Sequence, residues 1–123
     1  MQLGLHTGSI MHTNMLTDIR AAKFAGYDAI EIYLPKLLRY LDAGYRADEL
    51  LPALGTLQVA MINSFLHIER QDTEERRTLR KLCERICAVA VELQCPRLQV
   101  VALDEIRGEE WPEVRAKIGE SVA

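Results

Sequence analysis

Four short apolar runs, at residues 3–7, 29–34, 59–65 and 98–103, punctuate the chain, and after each the apolar residues recur at helical spacing. Val, Ile and Leu dominate the runs with few polar interruptions, the pattern of strands buried on both faces beneath covering helices. Strand–helix alternation of this kind predicts an α/β fold of four βα units around a parallel four-stranded sheet. A complete eight-stranded βα barrel needs about 250 residues, whereas this chain has 123. Residues 1–123 are therefore expected to form a single domain. It is either an open, doubly wound sheet complete in itself, or the (βα)4 half of a barrel, ending before a fifth strand. Periodicity alone does not separate the two.

Helix punctuation supports these strand positions. Asn14 or Thr13 is placed to cap a first helix in which Leu16, Ile19 and Ala22 share a face, and Gly26 closes it, with Tyr27 following as an apolar clasp. Pro35 suits the first turn of a short helix through Leu41 that Gly44 ends. A further helix over 47–54 carries Pro52 beyond its first turn, which predicts a kink or a shortening before Gly55. Asp72 with Glu75 reads as a capping box for the longest helix, whose Leu79, Leu82, Ile86, Val89 and Leu93 repeat until Pro96. Arg76, Arg77, Arg80 and Lys81 on that helix read as a solvated face.

Composition narrows the function classes. The chain is 49% hydrophobic and 27% charged with a net charge of −3, an ordinary globular profile without low-complexity tracts. The acidic balance lacks the basic field that a phosphate backbone requires, so nucleic acid is excluded as a partner. No apolar run approaches the roughly 20 residues of a membrane span. The N-terminus enters a strand without the features of a secretory signal, so a cytoplasmic protein is expected. Cys83, Cys87 and Cys95 form no CxxC, and they read as reduced core fillers.

Chemistry enters through polar residues set in apolar strands: His6 in the first, Glu31 between Ile30 and Ile32 in the second, Asn63 beside Ser64 in the third, and Gln99 in the fourth. Burying such groups costs energy unless each finds a partner. Parallel βα folds bind ligands outside the carboxyl ends of their strands, and His6, Glu31 and Asn63 lie in the later halves of theirs. These three are expected to converge on one pocket. His67 and Glu69 follow the third strand at the same end. Each has a plainer reading: His6 as a satisfied core or surface histidine, Asn63 as a ligand of loop backbone, Gln99 as structural. No spacing forms a metal motif, and GxGxxG, a Walker loop, HExxH and GxSxG are all absent.

Residues 16–32 (LTDIRAAKFAGYDAIEI), 55–65 (GTLQVAMINSF), 95–101 (CPRLQVV) and 111–115 (WPEVR) together resemble the N-terminal half of a sugar phosphate isomerase/epimerase of the xylose-isomerase-like TIM barrel superfamily. The resemblance implies the (βα)4 half of a TIM-type barrel and a divalent-metal enzyme, of Mn or Mg type, that moves a proton or hydride next to a sugar carbonyl. In such enzymes Glu, Asp and His ligands to the metal come mainly from the second half of the barrel, the first of them a Glu on the fifth strand. Glu31 matches a Glu that lines the pocket at the end of the second strand. His67 lies where the related AP-endonuclease branch often places a histidine. The implied substrate-binding set is thus Glu31, His6, Asn63 and His67, facing a sugar or sugar phosphate. The chain alone is expected to bind no metal tightly, to lack isomerase activity, and to associate as a homodimer or with a companion half-barrel. The competing expectation is a self-contained α/β binding or assembly module without catalysis.

Overall fold

The structure, a computed structural model, describes residues 1–102, 108 and 110–122, the last two by backbone alone. Strands β1 (Gly4–His6), β2 (Ala29–Tyr33), β3 (Gln58–Leu66) and β4 (Leu98–Val101) form one sheet. Helices α1 (Met15–Phe24), α2 (Leu34–Asp42), α3 (Leu51–Leu54), α4 (Thr73–Glu92) and α5 (Trp111–Val122) alternate with them, and 3-10 turns occupy Thr7–Ile10 and Ala47–Leu50. The strands lie in the order β1-β2-β3-β4, all parallel. A doubly wound sheet reverses its strand order at a switch point, and this one runs in a single direction, as barrel strands do. The fold is therefore four βα units of a TIM-type barrel.

The strand ends differ from expectation by one or two residues. β1 is shorter because Thr7 turns into the 3-10 segment, yet its side chain extends the pairing, Oγ1 accepting a hydrogen bond from the Tyr33 N–H at 2.7 Å. β3 runs one residue longer at each end than anticipated. β4 ends at Val101, and Leu103, expected at its end, lies outside the described residues. One extra residue, Ala60, interrupts the β2–β3 ladder: Ile30 pairs with Val59 and Glu31 with Met61. A second irregularity falls between Ile62 and Phe65 on the side of β4.

The caps follow the sequence closely. Asn14 Oδ1 accepts from Thr17 N–H at 2.9 Å. Gly26, at φ 76°, lets its own N–H reach Lys23 O and that of Tyr27 reach Ala22 O, the paired bonds that end α1. Asp72 accepts from the N–H groups of Glu74 and Glu75 at the start of α4. The reciprocal half of a capping box is not made, because the Glu75 carboxylate pairs with Arg70 instead. Pro52 does not kink a longer helix; a 3-10 turn precedes it and the α-helical turn begins at Leu51, where Pro is tolerated as a first-turn residue.

The core lies between the sheet and its helices: Ile19 and Ala22 of α1, Ile30 and Ile32 of β2, Leu37 of α2, Ile62 and Phe65 of β3, and Ile86 and Val89 of α4. Cys83 and Cys95 pack against this core as anticipated, but Cys87 is exposed, one helical turn beyond Cys83 and off the buried stripe. Of the basic residues on α4, Arg77, Arg80 and Lys81 are exposed as anticipated. Arg76 instead bonds Lys117 O and Glu120 and ties α4 to α5.

Candidate functional site

The register aligns the polar residues. His6 is the direct partner of Glu31 across β1–β2, and Asn63 is the partner of Tyr33 across β2–β3. Ile30 and Ile32 turn toward the helices, so alternation puts Glu31 on the opposite, inner face of the sheet. There Asn63 Nδ2 donates to Glu31 Oε1 and stands 2.7 Å from His6 Nε2. His6 Nε2 lies 3.3 Å from the same carboxylate oxygen. Asn63 is buried, Glu31 is half-buried, and His6 is the most open of the three. One amide, one carboxylate and one imidazole from three adjacent strands thus meet near the carboxyl ends of those strands.

Gly8 makes room for this arrangement. A Cβ at Gly8 would fall 2.3 Å from His6 Cε1 and 2.9 Å from Nδ1, so the ring occupies the space that any other residue would fill. Nothing in the order of residues says that an imidazole folds back over this glycine.

His67 stands apart from the cluster. It follows β3 at φ 62°, and its Nδ1 lies 3.8 Å from Oε1 of the buried Glu69. Gln99 is exposed on β4. A separate groove of about 240 Å³, lined by Phe65, Leu79, Cys83, Cys87 and Val100, lies on the helix side of the sheet.

A second polar centre escaped sequence reading altogether. Asp18 and Lys36 are both buried, with Lys36 Nζ donating to Asp18 Oδ2 at 2.7 Å, to Ile10 O at 2.7 Å and to Thr13 Oγ1 at 3.1 Å. Thr13 also approaches Asp18 Oδ1. All three ammonium protons are satisfied, and the loop after β1 is pinned between α1 and α2. The signal was present: Asp18 sits three residues from Met15 and one from Ile19, on the buried stripe of α1.

Among the described residues, no group of three or more His, Cys, Asp and Glu side chains is placed to hold a metal ion. His6 and Glu31 supply two donors, and the third member of their cluster is an amide that already spends its protons on them. The donor set does not fit a divalent metal. It fits a ligand rich in hydroxyl and carbonyl oxygens, which a carboxylate accepts from and N–H groups donate to. No described helix is long and apolar enough to cross a membrane.

No protein-family model matches the chain, and no curated protein sequence matches it significantly. Solved structures do. The IolI protein, in a structure with a bound zinc atom, superposes with a TM-score of 0.80 at 19% identity, over 99% of this chain and 48% of its own. The probable 3-DHS dehydratase AsbF of petrobactin synthesis from Bacillus anthracis gives 0.80 at 20% identity, over 98% of this chain and 47% of its own. A xylose isomerase-like TIM barrel/4-hydroxyphenylpyruvate dioxygenase fusion protein gives 0.70 at 16% identity, over 98% and 21%. The chain spans about half the length of IolI and AsbF. At these identities the likeness establishes the fold.

Proposed function

We propose that this chain, whose fold is half of a xylose-isomerase-like TIM barrel, forms the N-terminal half of a sugar or sugar phosphate isomerase or epimerase and supplies one wall of its substrate pocket. The observation that carries the reading is the meeting of His6, Glu31 and Asn63 where such barrels bind their ligands. Glu31 accepts hydrogen bonds from substrate hydroxyls, while His6 and Asn63 orient substrate oxygens. His67, beyond the end of β3 and turned toward Glu69, stands at the rim of that pocket and not among the three.

Proton or hydride transfer next to a sugar carbonyl, with a divalent metal of Mn or Mg type, is the chemistry of the assembled cytoplasmic enzyme. Among the described residues no set builds the metal site, and the chain alone is inactive. The inner face of the sheet carries Tyr33, Met61 and Val101, all half-buried. Burying apolar surface is worth about 25 cal/mol per Å², which favours covering that face with a second copy or a companion half-barrel.

The test is a titration of the isotope-labelled chain with aldose and ketose phosphates. Shifts confined to His6, Glu31, Asn63 and their neighbours, without turnover, are expected; no response at millimolar sugar overturns the pocket. Sedimentation equilibrium tests the assembly, and a compact monomer at tens of micromolar overturns it.

A further inference from the structure

We infer that Asn63 holds the neutral His6 ring in its Nδ1–H tautomer, which leaves Nδ1–H as the group that donates a hydrogen bond to a ligand oxygen. The inference deepens the pocket reading above and rests on it for the ligand, though not for the tautomer.

Donors and acceptors decide the tautomer. An amide nitrogen carries two protons and offers no lone pair, and an ionised carboxylate only accepts. Asn63 Nδ2 faces Glu31 Oε1, so the charge on Glu31 selects the orientation of the amide. Turning the amide over would set Oδ1 against a carboxylate oxygen with no proton between them. The same Nδ2 stands 2.7 Å from His6 Nε2. Two nitrogens at that distance need one lone pair, and only Nε2 has one to give. In the neutral ring the proton therefore sits on Nδ1. Asn63 is only 4% exposed, so water does not compete for these bonds.

The Cε1–Nδ1 edge rests beside Gly8, and among the described residues none accepts a hydrogen bond from Nδ1. The His6 side chain remains 44% exposed. A ligand that meets this edge meets an N–H, so the group recognised is a carbonyl, hydroxyl or phosphoryl oxygen. A cation finds neither nitrogen available, since one lone pair is engaged and the other position is protonated.

The test is the long-range ¹⁵N–¹H correlation spectrum of the imidazole rings at about pH 8.5, roughly two units above the ordinary histidine pKa. His12, which is exposed, serves as the internal reference. His6 is expected to show a protonated Nδ1 and a bare Nε2, the reverse of a free ring in water, and Asn63→Ala is expected to reverse His6 while leaving His12 unchanged. A wild-type His6 protonated on Nε2 overturns the inference, as does an Asn63→Ala protein with an unaltered His6. If Asn63→Ala does not fold, the wild-type spectrum still decides, and Glu31→Gln, which removes the charge that orients the amide, is expected to give mixed tautomers. No sugar enters these measurements, so their failure is distinct from failure of the sugar titration.

Discussion

Lys36 Nζ lies 2.7 Å from Asp18 Oδ2, and both side chains are sealed from water. An isolated charge in that position is far costlier than the pair, because desolvation is no longer offset by the partner. Lys36→Met is expected to destabilise the fold by about 3–5 kcal/mol, a large share of the roughly 5–15 kcal/mol typical of a domain. Asp18→Leu combined with Lys36→Met should recover most of that loss, since no charge is then left unpaired. Urea unfolding of the three variants measures both effects, and a double variant no better than the single one contradicts this account.

Gly8→Ala places a methyl group where the edge of the His6 ring now rests. The ring is the movable party, so the fold should persist and the His6–Asn63 contact should be lost. The expected change in stability is that of one hydrogen bond, about 0.5–1.5 kcal/mol. Ring shifts of His6 and the unfolding midpoint, measured together, check the two parts.

α4 ends as α1 does, with the N–H of Gln94 on Val91 O and that of Cys95 on Ala90 O, but the left-handed position is held by Gln94 at φ 54° where α1 has Gly26. A side chain there carries a steric cost that glycine lacks. Gln94→Gly is therefore expected to stabilise the protein by about 0.5–1 kcal/mol, seen as a higher thermal midpoint. A fall in the midpoint would show that the side chain of Gln94 contributes more than its backbone costs.

Burial raises the pKa of the Cys83 thiol above its ordinary value of 9.0, with Cys87 adding to the effect, and burial also raises that of Cys95. In both cases folding favours the neutral form. Their contribution to stability is thus fully present below the ordinary thiol value and is lost as pH rises through the higher folded values. Stability should decline on the alkaline side from about pH 9. Replacing both cysteines by Ala should flatten that limb of the stability–pH curve, and an unchanged limb would assign the decline to other groups.

Much of this was legible in the order of residues. Apolar runs gave four strands because a sheet covered by helices demands continuous hydrophobicity, and Asn14, Gly26 and Asp72 act locally, so their caps could be read directly. The choice between a doubly wound sheet and a half-barrel could not, because strand order is a property of winding that leaves no local mark. His6, Glu31 and Asn63 stood out as polar residues in apolar strands, but their mutual bonding depends on register. His67 shares their end of the sheet and pairs elsewhere, since its left-handed turn carries it toward Glu69. Asp18 and Lys36 were hidden because each passes alone for a solvated charge, and only the packing of α1 against α2 makes them a pair.

Ala60 is a residue of small size and no chemistry, yet the cluster depends on its standing outside the ladder. Side chains along a strand alternate, so a count of residues decides which face each one meets. From Val59, which faces the helices, uninterrupted alternation would send Met61 and Asn63 to the helix side and Ile62 to the inner face. The unmatched Ala60 resets the count: Ile62 returns to the core and Asn63 comes round to Glu31 and His6. A strand that took Ala60 into regular pairing would keep the same composition and point its amide into the hydrophobic layer.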